Sequence, residues 1–210
     1  MSESGTDAPD SPLAVVAAEV SRCTACRLHQ SATRGVPGEG PENARIMFVG
    51  EAPGYHEDRQ ARPFVGPAGK LLEELLAGIG LRREDVFITN VVKHRPPSNR
   101  DPLPEEIAAC RPFLERQIGL IGPEIVGLLG RFAMEQFMPG ARIGQAHGKP
   151  RRLGDRVFVP LVHPAAALHR GDWRPLLESD FLALRRVLDD ADAAAAETPK
   201  PPDAEQLTLF

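Results

Sequence analysis

The sequence predicts an α/β protein, a three-layer α/β/α sandwich around a mostly parallel, four-stranded sheet. Short apolar runs rich in β-branched residues lie at about 45–50, 85–92, 124–130 and 157–162. Between and after them, apolar residues recur at helical spacing near 67–79, 104–121, 131–137 and 174–189. Strands that alternate with helices cannot be joined as tight hairpins, so the sheet should run mostly parallel and be covered on both faces.

The ends look different from this core. The opening MSESGTDAPDSP has no apolar periodicity, so residues 1–12 are expected to be disordered, with one domain over 13–190 and a flexible tail over 191–210. Leu13 to Leu28 reads as the first helix, carrying Cys23-Thr-Ala-Cys26 near its end. No apolar run approaches the roughly 18 residues of a membrane span, and the polar, acidic start is unlike a signal peptide. A cytoplasmic monomer with no membrane association is therefore expected. Three cysteines are too few for a disulfide framework, and in a reducing compartment they read as ligands.

The net charge of −4 divides unevenly: residues 1–12 carry −3 and residues 189–210 carry −5, which leaves +4 on the rest. Arg142, Lys149, Arg151, Arg152, Arg156, Arg170 and Arg174 gather late in that core, where they could face phosphates.

The stretch between the first strand and the helix at 67–79 reads GEAPGYHEDRQARPFVGPAG, from Gly50 to Gly69. Its glycines let backbone approach a ligand, its prolines stiffen the path, and Glu51, Glu57 and Asp58 place carboxylates near Phe64. It lacks the GxxxxGK[ST] phosphate cradle, and its carboxylates would repel a phosphate. In parallel sheets ligands bind beyond the carboxyl ends of the strands. Glu51, Asn90 and His163 each fall at or just past such an end, so they should converge on one crevice.

GEAPG with the following ED and PFVGPAGKLL, then ITNVVKHRPPSNRDP, then VHPAAAL, resemble the family 4 uracil-DNA glycosylases over about residues 20–188. The resemblance implies hydrolysis of the N-glycosidic bond of deoxyuridine in DNA, the α/β/α fold and a four-iron, four-sulfur (4Fe-4S) cluster. It makes Phe64 the residue that stacks on uracil, with Gly50, Ala52, Asn90 and His163 completing the pocket. Asn90 has both a donor and an acceptor, which suits the O4 and N3 edge of uracil and mismatches the amino group of cytosine. His163 would donate to uracil O2 as the leaving base gains charge. Ala167 and Leu168 would enter the minor groove beside the flipped nucleotide.

Family 1 relatives orient the attacking water with an aspartate whose matching position here is Ala52. Water activation is therefore assigned to Glu51, with Glu57 or Asp58 shaping the loop or helping to position the water. The family pattern has four cysteines, whereas this chain offers Cys23, Cys26 and Cys110 with His94 where the remaining one would fall. Three cysteines and an imidazole can hold an iron-sulfur cluster, and the same set is a common structural zinc shell. A histidine at this place also occurs in covalent uracil-DNA-binding relatives, but those carry GEQPG and an inserted KRRIH segment, both missing here, so turnover is expected rather than capture. A zinc-binding nucleic-acid module without catalysis is the remaining alternative. Finally, QLTLF at the C-terminus resembles the bacterial sliding-clamp-binding pentapeptide, which implies Gln206, Leu207, Leu209 and Phe210 as its contacts.

Overall fold

A computed structural model describes residues 11–197. Five strands form one sheet in the order β2-β1-β3-β5-β4: β1 Ile46–Gly50, β2 Phe87–Asn90, β3 Ile125–Leu129, β4 Arg151–Leu153 and β5 Arg156–Leu161. The four expected strands pair in parallel. The fifth, β4, pairs antiparallel to β5 through a turn in which Gly154 takes a positive φ of 62°. Every residue of β4 is exposed, so it carries no apolar alternation by which the sequence could have shown it.

The central strands are buried on both faces, and their side chains sort by parity. Ile46 and Phe48 of β1 enter one cluster with α3 (Pro67–Gly78) and α8 (Arg174–Glu197), where Phe48 stacks on Phe181 at 5.8 Å. Gly127 makes room for that ring, because a Cβ there would stand 2.6 Å from Phe48. Met47 and Val49 point the other way, onto α4 (Pro104–Ile121) and α5 (Arg131–Phe137).

The first helix is shorter than expected. α1 spans Pro12–Ser21, capped by the Ser11 side chain, so its start lies at the edge of the segment expected to be disordered. It stops before the CxxC, and the returning chain packs against its last turn: a Cβ on Gly35 would come within 2.3 Å of the Val20 carbonyl oxygen. Cys23 and Cys26 therefore lie outside α1, just before a 3-10 turn at Arg27–Gln30. At the other end α8 continues to Glu197, beyond the expected boundary at 190, and Asp192 on its last turns pairs with Arg45 at 2.8 Å. Three short helices were not anticipated: α2 Tyr55–Gln60, α6 Ile143–Ala146 and α7 Pro164–His169. None is long enough to show a helical period.

β2 and β3 lie on opposite sides of β1, so the connections leaving the first strands diverge and open a crevice at the carboxyl edge of the sheet. Among the described residues no helix is long and apolar enough to cross a membrane. Gln206, Leu207, Leu209 and Phe210 lie outside the described residues.

Candidate active site

The crevice encloses about 210 Å³, and Glu51, Ala52, Gly54, Glu57, Phe64, Asn90 and His163 are among its lining residues. Chain segments far apart in sequence meet there because each leaves a neighbouring strand at the same edge of the sheet.

Phe64 is the most constrained of them. Its φ of 51° is left-handed, an unfavourable region for a bulky side chain, and the surrounding contacts hold it there. On one side a single oxygen of Glu57 accepts the amide N–H groups of Val65 and Gly66, both at 2.9 Å. On the other, Arg83 donates to the Phe64 carbonyl at 2.9 Å and to the Pro63 carbonyl. Gly69 of α3 admits the loop, since a Cβ there would lie 1.8 Å from the Phe64 carbonyl oxygen. The ring is thereby seated against Gly50, where a Cβ would stand 2.7 Å from it and 2.4 Å from Asn90 Oδ1. The His163 ring lies 5.8 Å away, tilted by 34°.

Asn90 closes β2 and is 1% exposed, yet its side-chain oxygen has no hydrogen-bond partner. An unpaired buried acceptor costs about 1–3 kcal/mol, so this oxygen is poised to receive a ligand N–H. Its backbone is firmly held: the Asn90 carbonyl accepts from Lys93 Nζ at 2.8 Å.

His163 sits at the N-cap of α7, where its Nδ1 accepts the Ala165 amide N–H at 3.1 Å. That bond leaves Nε2 as the protonated nitrogen, and burial pushes the imidazole down to about 4, so the ring is a neutral donor at pH 7. Gly130, with a φ of 87°, lets β3 end against it; a Cβ there would stand 3.1 Å from the histidine. Burial has the opposite effect on Glu51, raising its carboxyl to about 7, with Asp101 adding to the shift and Arg131 opposing it.

A sequence profile described as the uracil DNA glycosylase superfamily matches residues 37–184. A Type-4 uracil-DNA glycosylase from Archaeoglobus fulgidus is 49% identical over 172 residues, covering 78% of this chain and 86% of the relative. One from Thermotoga maritima is 48% identical over 184 residues, covering 86% and 91%. A Type-5 uracil-DNA glycosylase from Thermus thermophilus is 40% identical over 121 residues, covering 50% and 54%. The chain belongs to the uracil-DNA glycosylase superfamily.

Within this superfamily member the three loop carboxylates have separate places. Glu51 and Glu57 line the crevice, whereas Asp58 turns away and accepts the Thr33 amide and hydroxyl, both at 2.7 Å, tying α2 to the segment after the CxxC. The two expected wedge residues also part: Ala167 is buried in the core and only Leu168, 48% exposed, is free to enter a groove.

Cys110 of α4 lies near enough to the CxxC segment for Cys26 and Cys23 to influence its thiol. Burial pushes the Cys110 thiol up to about 11, and the nearby Cys26 and Cys23 add to that shift; burial also raises Cys26. Cys110 Sγ accepts the Lys93 amide at 3.4 Å. His94 is buried, and its imidazole, lowered by burial, is lowered further by His29 and raised by Asp58. Such soft donors suit iron or zinc, although among the described residues no three His, Cys, Asp or Glu side chains stand gathered as a ligand group.

Sequence reading missed two residues that support the site. Arg83 had no signal because its main partners are carbonyls about twenty residues away in the chain. Lys93 is fully buried, its ammonium donating to Thr89 Oγ1, the Asn90 carbonyl and Gln117 Oε1 at 2.7, 2.8 and 2.7 Å. A lysine is the residue least expected inside a core.

The loop contacts generate a stability prediction. Glu57→Ala strands two amide donors and should destabilise the protein by about 2–4 kcal/mol in denaturant unfolding, whereas Glu73→Ala, which removes one exposed partner of Arg83, should cost less than about 1 kcal/mol. Equal losses would show that the Glu57 bonds do not hold the loop.

Proposed function

We propose that this chain is a uracil-DNA glycosylase that flips deoxyuridine out of DNA into the crevice and hydrolyses its N-glycosidic bond, beginning base-excision repair. The observation that carries the reading is the unpartnered Asn90 oxygen beside the Phe64 ring. Uracil N3–H would donate to that oxygen while the Asn90 amide donates to uracil O4. Cytosine has no N3 proton and carries a donor at C4, so it mismatches both groups.

Phe64 stacks on the base and holds its plane. As the glycosidic bond breaks, electrons flow to the leaving uracil, and the His163 Nε2–H hydrogen-bonds O2 where the charge gathers. A neutral imidazole suits this role, since it donates without surrendering a proton that the medium would have to replace. The sugar becomes oxocarbenium-like, and the Glu51 carboxylate stabilises it and orients the water that attacks its anomeric carbon, the proton which that water loses passing through Glu51 to solvent as the uracil anion departs. Ala52, lacking a carboxylate, only lines the pocket. Leu168 fills space in the duplex left by the flipped nucleotide.

Incubation with uracil-containing single-stranded DNA should yield free uracil and an alkali-labile strand, with no protein-DNA band stable to denaturation; such a band would establish capture instead of turnover. His163→Ala should lower release by about 10²–10³-fold in protein that is still folded at the assay temperature, the lost cap on α7 costing only about 1 kcal/mol of stability. Because Glu51 must be ionised and its carboxyl is raised to about 7, release should fall as pH drops through 7, while His163 stays neutral until about 4. A rate flat between pH 5 and 9 would remove Glu51 from this role.

Cys23, Cys26, Cys110 and His94 are proposed to hold a 4Fe-4S cluster that ties the segment after α1 to α4 and to the turn beyond Asn90. When bound it serves as a structural clamp and takes no part in the hydrolysis. Protein purified without oxygen should be brown and contain iron and acid-labile sulfide; colourless protein with one zinc per chain would replace the cluster with zinc on the same residues.

The C-terminal QLTLF is proposed to dock on the bacterial sliding clamp, placing the enzyme on replicating DNA and raising its local concentration there. Deleting residues 206–210 should abolish clamp binding and leave uracil release unchanged. Undiminished binding would reject the motif.

A further inference from the structure

Tyr55 is the chain's single tyrosine and opens α2, directly after Gly54 in the crevice wall. It is 53% exposed, an unusual display for a large ring beside a pocket that otherwise buries its aromatic. The ring is not left loose. The Arg95 guanidinium stands over it, 5.2 Å from the centroid, and the His56 ring meets it edge-on at 5.5 Å.

Arg95 is itself anchored from the opposite wall. Its Nε donates to Asn99 Oδ1 at 2.7 Å, and Asn99 takes a φ of 54°, turning the segment that supplies Pro96, Asn99 and Arg100 to the crevice lining. Neighbouring cations are already neutralised: Arg100 pairs with Glu106, and Arg131 with Asp101. Among the described residues Arg95 makes no ion pair, so its charge is available to an anionic strand at the mouth of the pocket.

We propose that Tyr55, roofed by Arg95, is a second base-binding site at the crevice mouth that stacks the unpaired nucleobase next to the flipped one, while Arg95 meets the phosphate between them. The inference rests on the crevice being the uracil pocket. Gly54 lines that pocket and the following Cα is about 3.8 Å away, so a neighbouring nucleotide reaches Tyr55 without stretching the strand. Stacking on an aromatic face is indifferent to which base is presented, and an adjacent arginine strengthens it. A base in a duplex is already paired and stacked on both faces, so it cannot use the platform without being torn from its neighbours. The site therefore favours single-stranded DNA.

The test compares kcat/KM for uracil release from single-stranded and duplex DNA in the unaltered protein, Tyr55→Ala, Tyr55→Phe and Tyr55→Trp. Tyr55→Ala should lower the single-strand to duplex ratio about tenfold, mainly through KM, and the aromatic variants should restore it. A direct reading comes from 2-aminopurine placed on either side of a cleavage-resistant 2′-fluorodeoxyuridine in a single strand. Its fluorescence should be quenched at one of those positions by the unaltered protein and regained with Tyr55→Ala. If Tyr55 only props Arg95 and its loop, both substrates suffer alike and the ratio is unchanged, which overturns the platform alone. Absence of uracil release by the unaltered protein overturns the glycosylase reading, and the platform with it.

Discussion

The arrangement depends on how closely backbone approaches side chain at Gly50. Asn90, Phe64 and the end of β1 occupy nearly the same space, and they do so only because position 50 has no Cβ. Any side chain there would drive the ring from the amide and break the pairing of a flat apolar surface with a polar edge. That pairing is what a planar heterocycle requires. A face to stack on holds the molecule, and hydrogen-bonding groups in the same plane decide which molecule is held.

Around this contact the protein spends much of its charge on backbone. Glu57 gathers two amides, Arg83 binds two carbonyls, and Lys93 holds the end of β2 from beneath. These ionic groups are committed to geometry, while His163, which lines the crevice, is neutral at pH 7. A neutral donor suits a neutral base and reserves its electrostatic gain for the moment when the departing base becomes an anion.

How much of this the sequence disclosed follows from the range of the interactions. Glu51, Asn90 and His163 were legible because strand ends in a parallel sheet share one edge, a rule that needs only the order of strands and helices. The limits of α1 were not legible, because apolar and small residues continue past Ser21 without a helix-breaking signal. β4 was invisible for want of any buried residue, and α2, α6 and α7 for want of length. Arg83 and Lys93 look like ordinary surface charges until the fold brings carbonyls and hydroxyls to them. The different burial of Ala167 and Leu168 was not legible because a short helix presents neighbours to opposite surroundings, one to the core and the next to solvent.

Arg45 immediately precedes β1 and binds both Glu124, just before β3, and Asp192, near the end of α8. The last turns of α8 are thus fastened at the amino edge of the sheet, while the crevice opens at its carboxyl edge. The end of α8 therefore stands away from the crevice.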